Sequence, residues 1–277
     1  MIRVLILCTG NSARSQMAEA VLRGFDPTLA VCSAGTRPAE RVHPGAVRAL
    51  AEIGIDVSGA YPKPVDLYLG QSFDYVITVC GNADQACPAF RGEVGQRLHI
   101  GFDDPAAVAG SDAQVMAAFR RVRDEIRTRF AAFYAGMVPL RAATVADVDA
   151  VRALLAACAL PEDGLAEQFG AGYTVAGGVA ACAGVERYGD DGLLRSVAVE
   201  PALRGHGLGA RLLADRIEWA RAQGLRALYL LTTTAPGYFP KAGFQPIGRE
   251  QAPAAIRESR EFAHACPASA MMMRRPL

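Results

Sequence analysis

The first half of the chain alternates short apolar runs with longer segments in which apolar residues recur every three or four positions. The short runs predict β-strands, and the longer segments predict amphipathic helices. Such alternation favours a parallel four-stranded sheet with helices on both faces, whose functional side chains lie at the carboxyl ends of the strands. The predicted strands are residues 3–7, 30–33, 73–79 and 97–100, and the predicted helices are residues 14–24, 44–53 and 115–133.

The pattern changes after Gly136, where a new apolar helix is followed by several consecutive strands. Thr144 and Asp147 have the spacing of a helix-start signal, directly before apolar residues at helical spacing. The halves show no similarity to each other, so we predict a fusion of two α/β domains, residues 1–136 and residues 137–277. The second half is predicted to contain a helix at 148–158, strands at 173–176, 179–186, 193–199 and 225–232, a loop and helix within 204–222, and apolar segments at 239–244 and 270–273.

Composition and charge exclude several classes of protein. Apolar residues make up 51% of the 277 positions, which argues against disorder. The net charge is +1 and is spread evenly, so no basic surface for nucleic acid and no polybasic membrane anchor is indicated. No apolar run approaches the roughly 18 residues of a spanning helix, and no signal peptide is recognisable. We therefore expect a cytoplasmic protein without nucleic-acid or membrane partners.

The seven cysteines are odd in number and widely scattered, unlike the cysteines of a disulfide framework. In a reducing compartment each is either a packed thiol or a reactive one. Cysteines with no partner at an informative spacing are predicted to be packed, and no cluster of residues predicts a metal site. The predicted packed thiols are Cys32, Cys158, Cys182 and Cys266.

The first predicted strand leads directly to Cys8 and the string CTGNSARS. A loop of this length before a helix can turn its backbone N–H groups inward and bind a tetrahedral oxyanion. Arg14 can hold two oxyanion oxygens, and the same positive field is expected to lower the pKa of Cys8 and make it a nucleophile. A buried cysteine followed by an arginine by chance is the alternative. The predicted oxyanion-binding residues are Thr9, Gly10, Asn11, Ser12, Ala13, Arg14 and Ser15.

The full string resembles the active-site loop of low-molecular-weight protein tyrosine phosphatases, which the arsenate reductases of the same fold share. The resemblance implies that an aspartate directly before a proline protonates the leaving oxygen. Asp104, before Pro105, occupies that position, although the local sequence alone predicts only an ordinary turn. The phosphatases typically carry an aromatic residue after this pair, where this chain has Ala106.

Two further cysteines distinguish a reductase from a phosphatase, because a phosphatase needs only one cysteine. Cys80 follows the third predicted strand, and Cys87 comes seven residues later. Three thiols in this order can support a relay in which Cys8 attacks arsenate, Cys80 attacks Cys8, and Cys87 attacks Cys80. Spacing alone favours packed thiols for this pair. Residues 1–135 nevertheless resemble thioredoxin-coupled arsenate reductases, which implies arsenate as substrate and thioredoxin as reductant; a low-molecular-weight tyrosine phosphatase is the alternative.

Some relatives bind a potassium ion near this loop, through residues that match Asn11, Glu19 and Ser33 together with an aspartate. Lys63 stands at the position of that aspartate. The difference argues against a potassium requirement, and we hypothesise that the Lys63 ammonium supplies the positive charge instead.

In the second half, a Gly-rich hexapeptide at 204–209, RGHGLG, follows a predicted strand and begins a helix. It fits the pattern R/Q-x-x-G-x-G/A, whose backbone N–H groups hold a pyrophosphate. A Rossmann unit is the alternative, but its repeated parallel strands and later acidic residue are missing. With YFPKAGFQPI, the segment 138–275 resembles the GNAT acetyltransferases, which implies a mixed-sheet α/β domain and acetyl-CoA as cofactor. The implied acetyl-CoA residues are Val197, Ala198, Val199, Arg204, Gly205, His206, Gly207, Leu208 and Gly209.

The sequence gives weaker signals for the site that binds the acetyl acceptor. Many GNAT members use a tyrosine four residues before the glycine of a Gly-Phe pair; Phe239 stands there, and Tyr238 beside it is either the acid or a packing residue. Arg195 either binds an anionic substrate or is an exposed strand arginine. The strings LLRSVAVEP and LTTTAPGYFPKAGF resemble acetyltransferases of arsenic resistance, some of which act on arsinothricin or phosphinothricin. We therefore expect a small amine as acceptor; an acetyl-CoA sensor without catalysis is the alternative.

Overall fold

The computed structural model describes residues 1–80, 91–165, 169–265, 267 and 269–277. They form two compact units, Met1–Tyr134 and Ala135–Leu277. Among the described residues, no helix is long and apolar enough to cross a membrane.

The first unit is built on a parallel sheet of four strands in the spatial order β2-β1-β3-β4. Because β1 lies between two neighbours, its carboxyl end is at the middle of one sheet edge, where Cys8 aligns with Gly35. The strands are β1 (Arg3–Cys8), β2 (Ala30–Gly35), β3 (Phe73–Thr78) and β4 (Val94–His99), and the helices are α1 (Arg14–Phe25), α2 (Pro44–Ala51) and α3 (Asp112–Met137).

Apolar side chains of β1 and of the helices form the core of this unit. Leu5 and Ile6 of β1, Leu22 of α1, and Phe119 and Ile126 of α3 are all 0% exposed. Burying a side chain of this size contributes about 1.5–3 kcal/mol each. The strand that ends at Cys8 is therefore held rigidly in the centre of the unit.

The fourth strand differs from its predicted range. It covers Val94–His99 rather than 97–100, and all six of its residues are exposed or half-buried. An edge strand of this kind carries polar residues on its exposed positions, so its sequence lacks the apolar run that marks the buried strands β1 and β3.

The second unit contains a mixed sheet of seven strands in the order β10-β11-β9-β8-β7-β6-β5. The parallel four-stranded sheet expected for the first half and the mixed-sheet α/β domain expected for the second half are thus confirmed. The strands are β5 (Leu140–Ala142), β6 (Tyr173–Ala176), β7 (Ala181–Tyr188), β8 (Asp191–Val199), β9 (Ala227–Thr232), β10 (Gln245–Ile247) and β11 (Met271–Pro276), and the helices are α4 (Val148–Ala157), α5 (Leu208–Ala222) and α6 (Ala254–Arg257).

The parallel pair β8 and β9 is joined over only part of its length. Pairing runs from Asp191 with Ala227 to Leu193 with Tyr229, although β8 continues to Val199 and β9 to Thr232. Both strands therefore present unpaired backbone toward each other at their carboxyl ends. In open α/β sheets, ligands bind in a crevice at the carboxyl ends of the strands.

Several local predictions for the second unit need correction. The strand expected from Val179 begins at Ala181, because Gly177 and Val179 have positive φ values of 52° and 73° in the preceding turn. Residues 239–244 form a short 3₁₀ helix at Phe239–Ala242, followed by β10. The short strands β5 and β10 were not predicted, since three residues carry too little pattern.

The helix-start signal of the second half is confirmed. The hydroxyl and the backbone N–H of Thr144 each donate to Asp147 Oδ2, at 2.9 and 2.8 Å. Arg141 holds the same carboxylate through both oxygens, which lowers the pKa of Asp147.

Candidate active sites

The loop between β1 and α1 directs a backbone amide at the sulfur of Cys8. The carbonyl of Gly10 accepts a hydrogen bond from Ala39 at 2.8 Å, so the N–H of the same peptide, on Asn11, points the opposite way and lies 3.0 Å from Cys8 Sγ. Other loop carbonyls likewise accept from the segment that follows β2; they belong to Cys8, Thr9 and Ser12. The loop thus has the inward-facing amides of an anion-binding nest.

Two residues allow this tight loop. Asn11 has a φ of 46°, in the left-handed region that asparagine tolerates better than most residues. Gly35 lies so close to the loop that a Cβ there would come within 2.5 Å of the Thr9 carbonyl oxygen. A side chain at position 35 would push the loop away from the sheet.

Cys8 is 6% exposed, and its sulfur lies 2.8 Å from the hydroxyl oxygen of Ser15. Burial raises the pKa of Cys8, and this outweighs the opposing effects of the Ser15 hydroxyl, the Asn11 and Ser15 amides and the Arg14 charge. The expectation of a lowered pKa is therefore wrong for this arrangement. The physical reason is the burial of the thiol, which disfavours its charged form more than the neighbouring donors and Arg14 favour it.

Arg14 joins the loop to the segment that carries the candidate acid. Its guanidinium lies 2.9 Å from Asp104 Oδ2 and 3.2 Å from the carbonyl oxygen of Phe102. The other carboxylate oxygen of Asp104 accepts from the Ala106 amide at the start of a 3₁₀ turn. Neighbouring Asp103 instead pairs with Arg121. The structure therefore brings Asp104, and not Asp103, to the loop.

The residues of the hypothesised cation site surround Asn11. The Asn11 amide nitrogen donates to the hydroxyls of Ser15 and Ser33, and Ser33 donates to Glu19 Oε2 at 2.5 Å. The Lys63 backbone amide donates to Asn11 Oδ1 at 2.7 Å, and its ammonium lies 3.4 Å from Glu19 Oε2. A fixed positive charge therefore lies beside the Glu19 carboxylate.

Sequence reasoning missed the role of Gln16 in this network. Its amide nitrogen donates to both the backbone and the side-chain oxygen of Asn11, and also to the Tyr61 carbonyl. Gln16 is 2% exposed, which is unusual for its residue type. Its place in the string CTGNSARSQMAE was the signal that could have found it.

Cys80 follows β3 and lies beside the loop. Its sulfur is 4.0 Å from the Thr9 hydroxyl. The parallel pairing of β1 with β3 places the ends of the two strands side by side, with Leu7 opposite Thr78. Cys87, the third predicted thiol, lies outside the described residues. Among the described residues, no group of three potential metal ligands is present.

The Gly-rich loop of the second unit precedes helix α5, as the sequence predicted. Gly205 and Gly207 have φ values of 82° and 88°, and a Cβ on either would meet no atom within 4 Å. Arg204 braces the loop through Val199 and Cys158, at 3.0 Å from the carbonyl oxygen and 3.2 Å from the sulfur. The loop is thus an open glycine turn at a helix N-terminus, a geometry that suits a phosphate group.

Tyr238 packs against this helix start. A Cβ at Gly209 would lie 2.9 Å from the Tyr238 hydroxyl oxygen, so glycine is needed for the approach. The hydroxyl is buried and has no hydrogen-bond partner among the described residues, and burial raises its pKa. These contacts favour the packing interpretation of Tyr238.

Arg195 is neither an exposed arginine nor one with free terminal nitrogens. Its side chain is 2% exposed, and its two terminal nitrogens bind Glu186 Oε1 at 2.7 Å, Glu261 Oε2 at 2.9 Å and the Asp163 carbonyl oxygen at 2.7 Å. The exposed-arginine interpretation is wrong, because β8 is covered here by the segments that carry Asp163 and Glu261. Because its terminal nitrogens hold these oxygens, Arg195 is not favoured to bind an anionic substrate through them.

Comparisons with known proteins assign each half to a family. Residues 3–139 match the family model described as low molecular weight phosphotyrosine protein phosphatase, and residues 169–246 match that of the acetyltransferase (GNAT) domain. An arsenate reductase of Halalkalibacterium halodurans is 47% identical over 131 residues, which cover 47% of this chain and 93% of that protein. One of Bacillus subtilis is 42% identical with the same coverage.

Among solved structures, Rv2747 from Mycobacterium tuberculosis in complex with CoA and NLQ is 25% identical, covering 50% of this chain and 99% of that chain with a TM-score of 0.44. Through its first half the chain belongs to the arsenate reductases of the low-molecular-weight phosphotyrosine phosphatase superfamily, and it joins to that half a GNAT acetyltransferase domain, so the protein is a fusion of two enzyme domains.

Proposed function

We propose that the first half reduces arsenate to arsenite by a relay through Cys8, Cys80 and Cys87, with thioredoxin as the reductant in a cytoplasmic, reducing compartment. The observation that carries the proposal is that Cys80 lies against the same loop that directs an amide at Cys8. A phosphatase has no use for that second thiol. The high identity to proteins named arsenate reductases supports the same conclusion.

The chemistry follows from the positions of these groups. The Cys8 thiolate attacks arsenic and displaces one hydroxyl group. Asp104 protonates this group, so that it leaves as water. Arg14 and the loop amides hold the remaining oxygens. Arg14 pairs with Asp104 in the structure, so binding of arsenate would place the substrate oxyanion beside the same guanidinium.

Arsenic is reduced in the next step, in which the sulfur atoms of Cys8 and Cys80 are oxidised to a disulfide. Cys80 attacks Cys8, the sulfur–arsenic bond breaks, and its electron pair stays on arsenic, which leaves as arsenite. Cys87 then attacks Cys80 and frees Cys8, leaving a Cys80–Cys87 disulfide that thioredoxin reduces with two electrons. The proposal is tested by arsenate-dependent NADPH oxidation in the presence of thioredoxin and thioredoxin reductase. Hydrolysis of aryl phosphates without arsenate turnover would instead support the phosphatase alternative.

Lys63 is expected to replace a potassium ion. Changing Lys63→Ala should lower arsenate kcat/KM by about tenfold, which is the size of effect typical of groups that support a reacting site. The reason is that Glu19 loses the ammonium beside its Oε2 and keeps only Arg23, which pairs with its Oε1. Added potassium should partly restore this variant and leave the unchanged protein unaffected. The chain's other lysine supplies the control, Lys241→Ala. Strong potassium activation of the unchanged protein would contradict the role of Lys63.

For the second half, we propose that the loop at 204–209 and the β8 backbone at Val197–Val199 bind acetyl-CoA, which supplies an activated acetyl group to a small amine. Two glycines with positive φ at the start of α5 support this site. An amino acid of the arsinothricin or phosphinothricin kind is the proposed acceptor, so that both halves would serve arsenic detoxification. Acetyl-CoA binding without CoA release in the presence of such amines would instead indicate a sensor.

Gly207→Ala should lower the affinity for acetyl-CoA by at least about tenfold. A Cβ at its φ of 88° costs about 1–2 kcal/mol and displaces the turn that precedes α5. Gly189→Ala is a matched control, since Gly189 has a φ of 64° and also has no atom within 4 Å of an added Cβ, but it lies in the β7–β8 turn. Titration calorimetry measures both variants. Equal affinities would show that position 207 does not shape the site.

A further inference from the structure

The peptide groups of the loop between β1 and α1 are held in place through their carbonyl oxygens. Several of these carbonyls accept from backbone amides of the segment 36–43 at 2.8–3.2 Å; they belong to Cys8, Thr9, Gly10 and Ser12. The peptides are trans, so each N–H points away from the carbonyl of its own peptide group. A carbonyl tied to the neighbouring segment therefore leaves the N–H of the next residue facing the oxyanion site. The backbone of segment 36–43 thus orients most of the nest.

The peptide between Asn11 and Ser12 is held in a different way. Its carbonyl accepts from a side chain, the amide nitrogen of Gln16, at 3.0 Å. Asn11 has a φ of 46°, in the left-handed region that costs a non-glycine residue free energy, so this peptide needs a contact that keeps its orientation. The direction of the Ser12 N–H, which belongs to the same peptide group, therefore depends on Gln16.

The Gln16 side chain is itself fixed by several oxygen acceptors. Besides the Asn11 carbonyl, its amide nitrogen lies 3.1 Å from Asn11 Oδ1 and 3.0 Å from the carbonyl oxygen of Tyr61. Backbone carbonyl oxygens only accept hydrogen bonds, so the NH₂ group of Gln16, and not its oxygen, must face them. Gln16 is 2% exposed, so water is poorly placed to replace a bond that is lost.

We propose that Gln16 is a positioning residue of the oxyanion site. Its side chain holds the peptide between Asn11 and Ser12 so that the Ser12 N–H donates to an oxygen of bound arsenate or phosphate. Gln16 does not touch the oxyanion, because its amide nitrogen is directed at Asn11 and Tyr61. The proposal rests on the arsenate reduction proposed for the first half and adds a residue outside the loop on which oxyanion binding depends.

Inorganic phosphate, which the thiols do not reduce, tests the direction of the Ser12 N–H in the unchanged full chain. Backbone amide NMR signals are followed during a phosphate titration. The signals of Ser12 and Gly10 should shift together as the site fills, because both N–H groups face the bound oxyanion. A Ser12 signal that stays in place while the Gly10 signal shifts would overturn the proposal.

Gln16→Met tests the role of the side chain, since methionine has a similar shape but no hydrogen-bond donor. The affinity for phosphate should fall at least about tenfold, the effect of losing one hydrogen bond to a charged group. The phosphate-induced shift at Ser12 should be lost, whereas that at Gly10 should remain, because the Thr9 carbonyl still accepts from Arg37. A general loss of structure would instead change both signals.

Gln71→Met is the matched control. The Gln71 amide nitrogen also donates to a backbone carbonyl, that of Leu67 at 2.9 Å, but its side chain lies beside Arg3, where β1 begins. This variant should bind phosphate as the unchanged chain does. Unchanged phosphate affinity in a folded Gln16→Met protein, or a Ser12 signal that still shifts fully in it, would overturn the role of Gln16.

Gln16→Asn provides a second variant if Gln16→Met does not fold. Its amide is one methylene shorter and cannot reach both Asn11 and Tyr61, so the same selective loss at Ser12 is expected with a smaller fall in affinity. Full phosphate affinity and a full Ser12 shift in Gln16→Asn would overturn the proposal.

The unchanged chain keeps the two levels of the argument distinct. Absence of phosphate binding by the unchanged chain would contradict the oxyanion site, and with it both the proposed reduction and the role of Gln16. Phosphate binding that is the same in the unchanged chain and the Gln16 variants would contradict only the role of Gln16.

Discussion

Cys8→Ser should lower arsenate turnover by at least about 10⁴-fold, because a serine hydroxyl in this loop cannot form the sulfur–arsenic bond whose cleavage releases arsenite. The backbone amide of Asn11 and the side chain of Arg14 remain in this variant, so the loop should still bind an oxyanion. Phosphate binding measured by calorimetry should therefore stay within a few fold of the unchanged protein. Arsenite release is measured in the same samples.

Cys32→Ser is the matched control for this loss. Cys32 lies on the neighbouring strand β2, its thiol contacts the Val4 carbonyl, and burial raises its pKa to about 11. Such a thiol is largely protonated at neutral pH and unsuited to nucleophilic attack. Arsenate turnover that persists in Cys8→Ser, or that is lost equally in Cys32→Ser, would show that Cys8 is not the attacking group.

Cys80→Ser should abolish arsenite release, by at least about 10³-fold, while leaving the oxyanion loop intact. Without the second thiol nothing attacks Cys8, so the reaction stops at the arsenate adduct. In a single turnover without thioredoxin, the unchanged chain should release one arsenite per chain, and the variant almost none. Hydrolysis of an aryl phosphate, which needs only Cys8, Arg14 and Asp104, should be unaffected if the loop supports it.

The outcome for Cys80 separates the two hypotheses for the first half. A reductase loses arsenite release and keeps any phosphatase activity. If Cys80→Ser instead released arsenite at the rate of the unchanged protein, the contact between Cys80 and Thr9 would be packing only, and the relay would have to be abandoned.

The parts of the two sites that are formed by one continuous stretch of sequence could be predicted. The loop from Cys8 to Ser15 follows a buried strand and precedes a helix, so its position at the sheet edge follows from the apolar pattern and the parallel topology. The Gly-rich loop before α5 was predicted for the same reason, since positive φ at Gly205 and Gly207 is a local property of glycine.

The features that depend on distant contacts could not be predicted. The pKa of Cys8 depends on how deeply the thiol is buried, and Arg14 pairs with Asp104, which lies far along the chain. Likewise, the burial of Arg195 depends on carboxylates from β7 and from the segment at Glu261. Neither pairing leaves a periodic signal, so only the folded structure reveals that Arg195 is enclosed.

The thiol relay is tested most directly by arsenate-dependent NADPH oxidation through thioredoxin and thioredoxin reductase, comparing the full chain with Cys8→Ser, Cys80→Ser and Cys87→Ser. We expect turnover by the unchanged chain and its loss in all three variants, because each thiol carries one step of the relay. No arsenate turnover by the unchanged chain, together with aryl phosphate hydrolysis that needs Cys8 but ignores Cys80 and Cys87, would contradict it and identify the first half as a phosphatase.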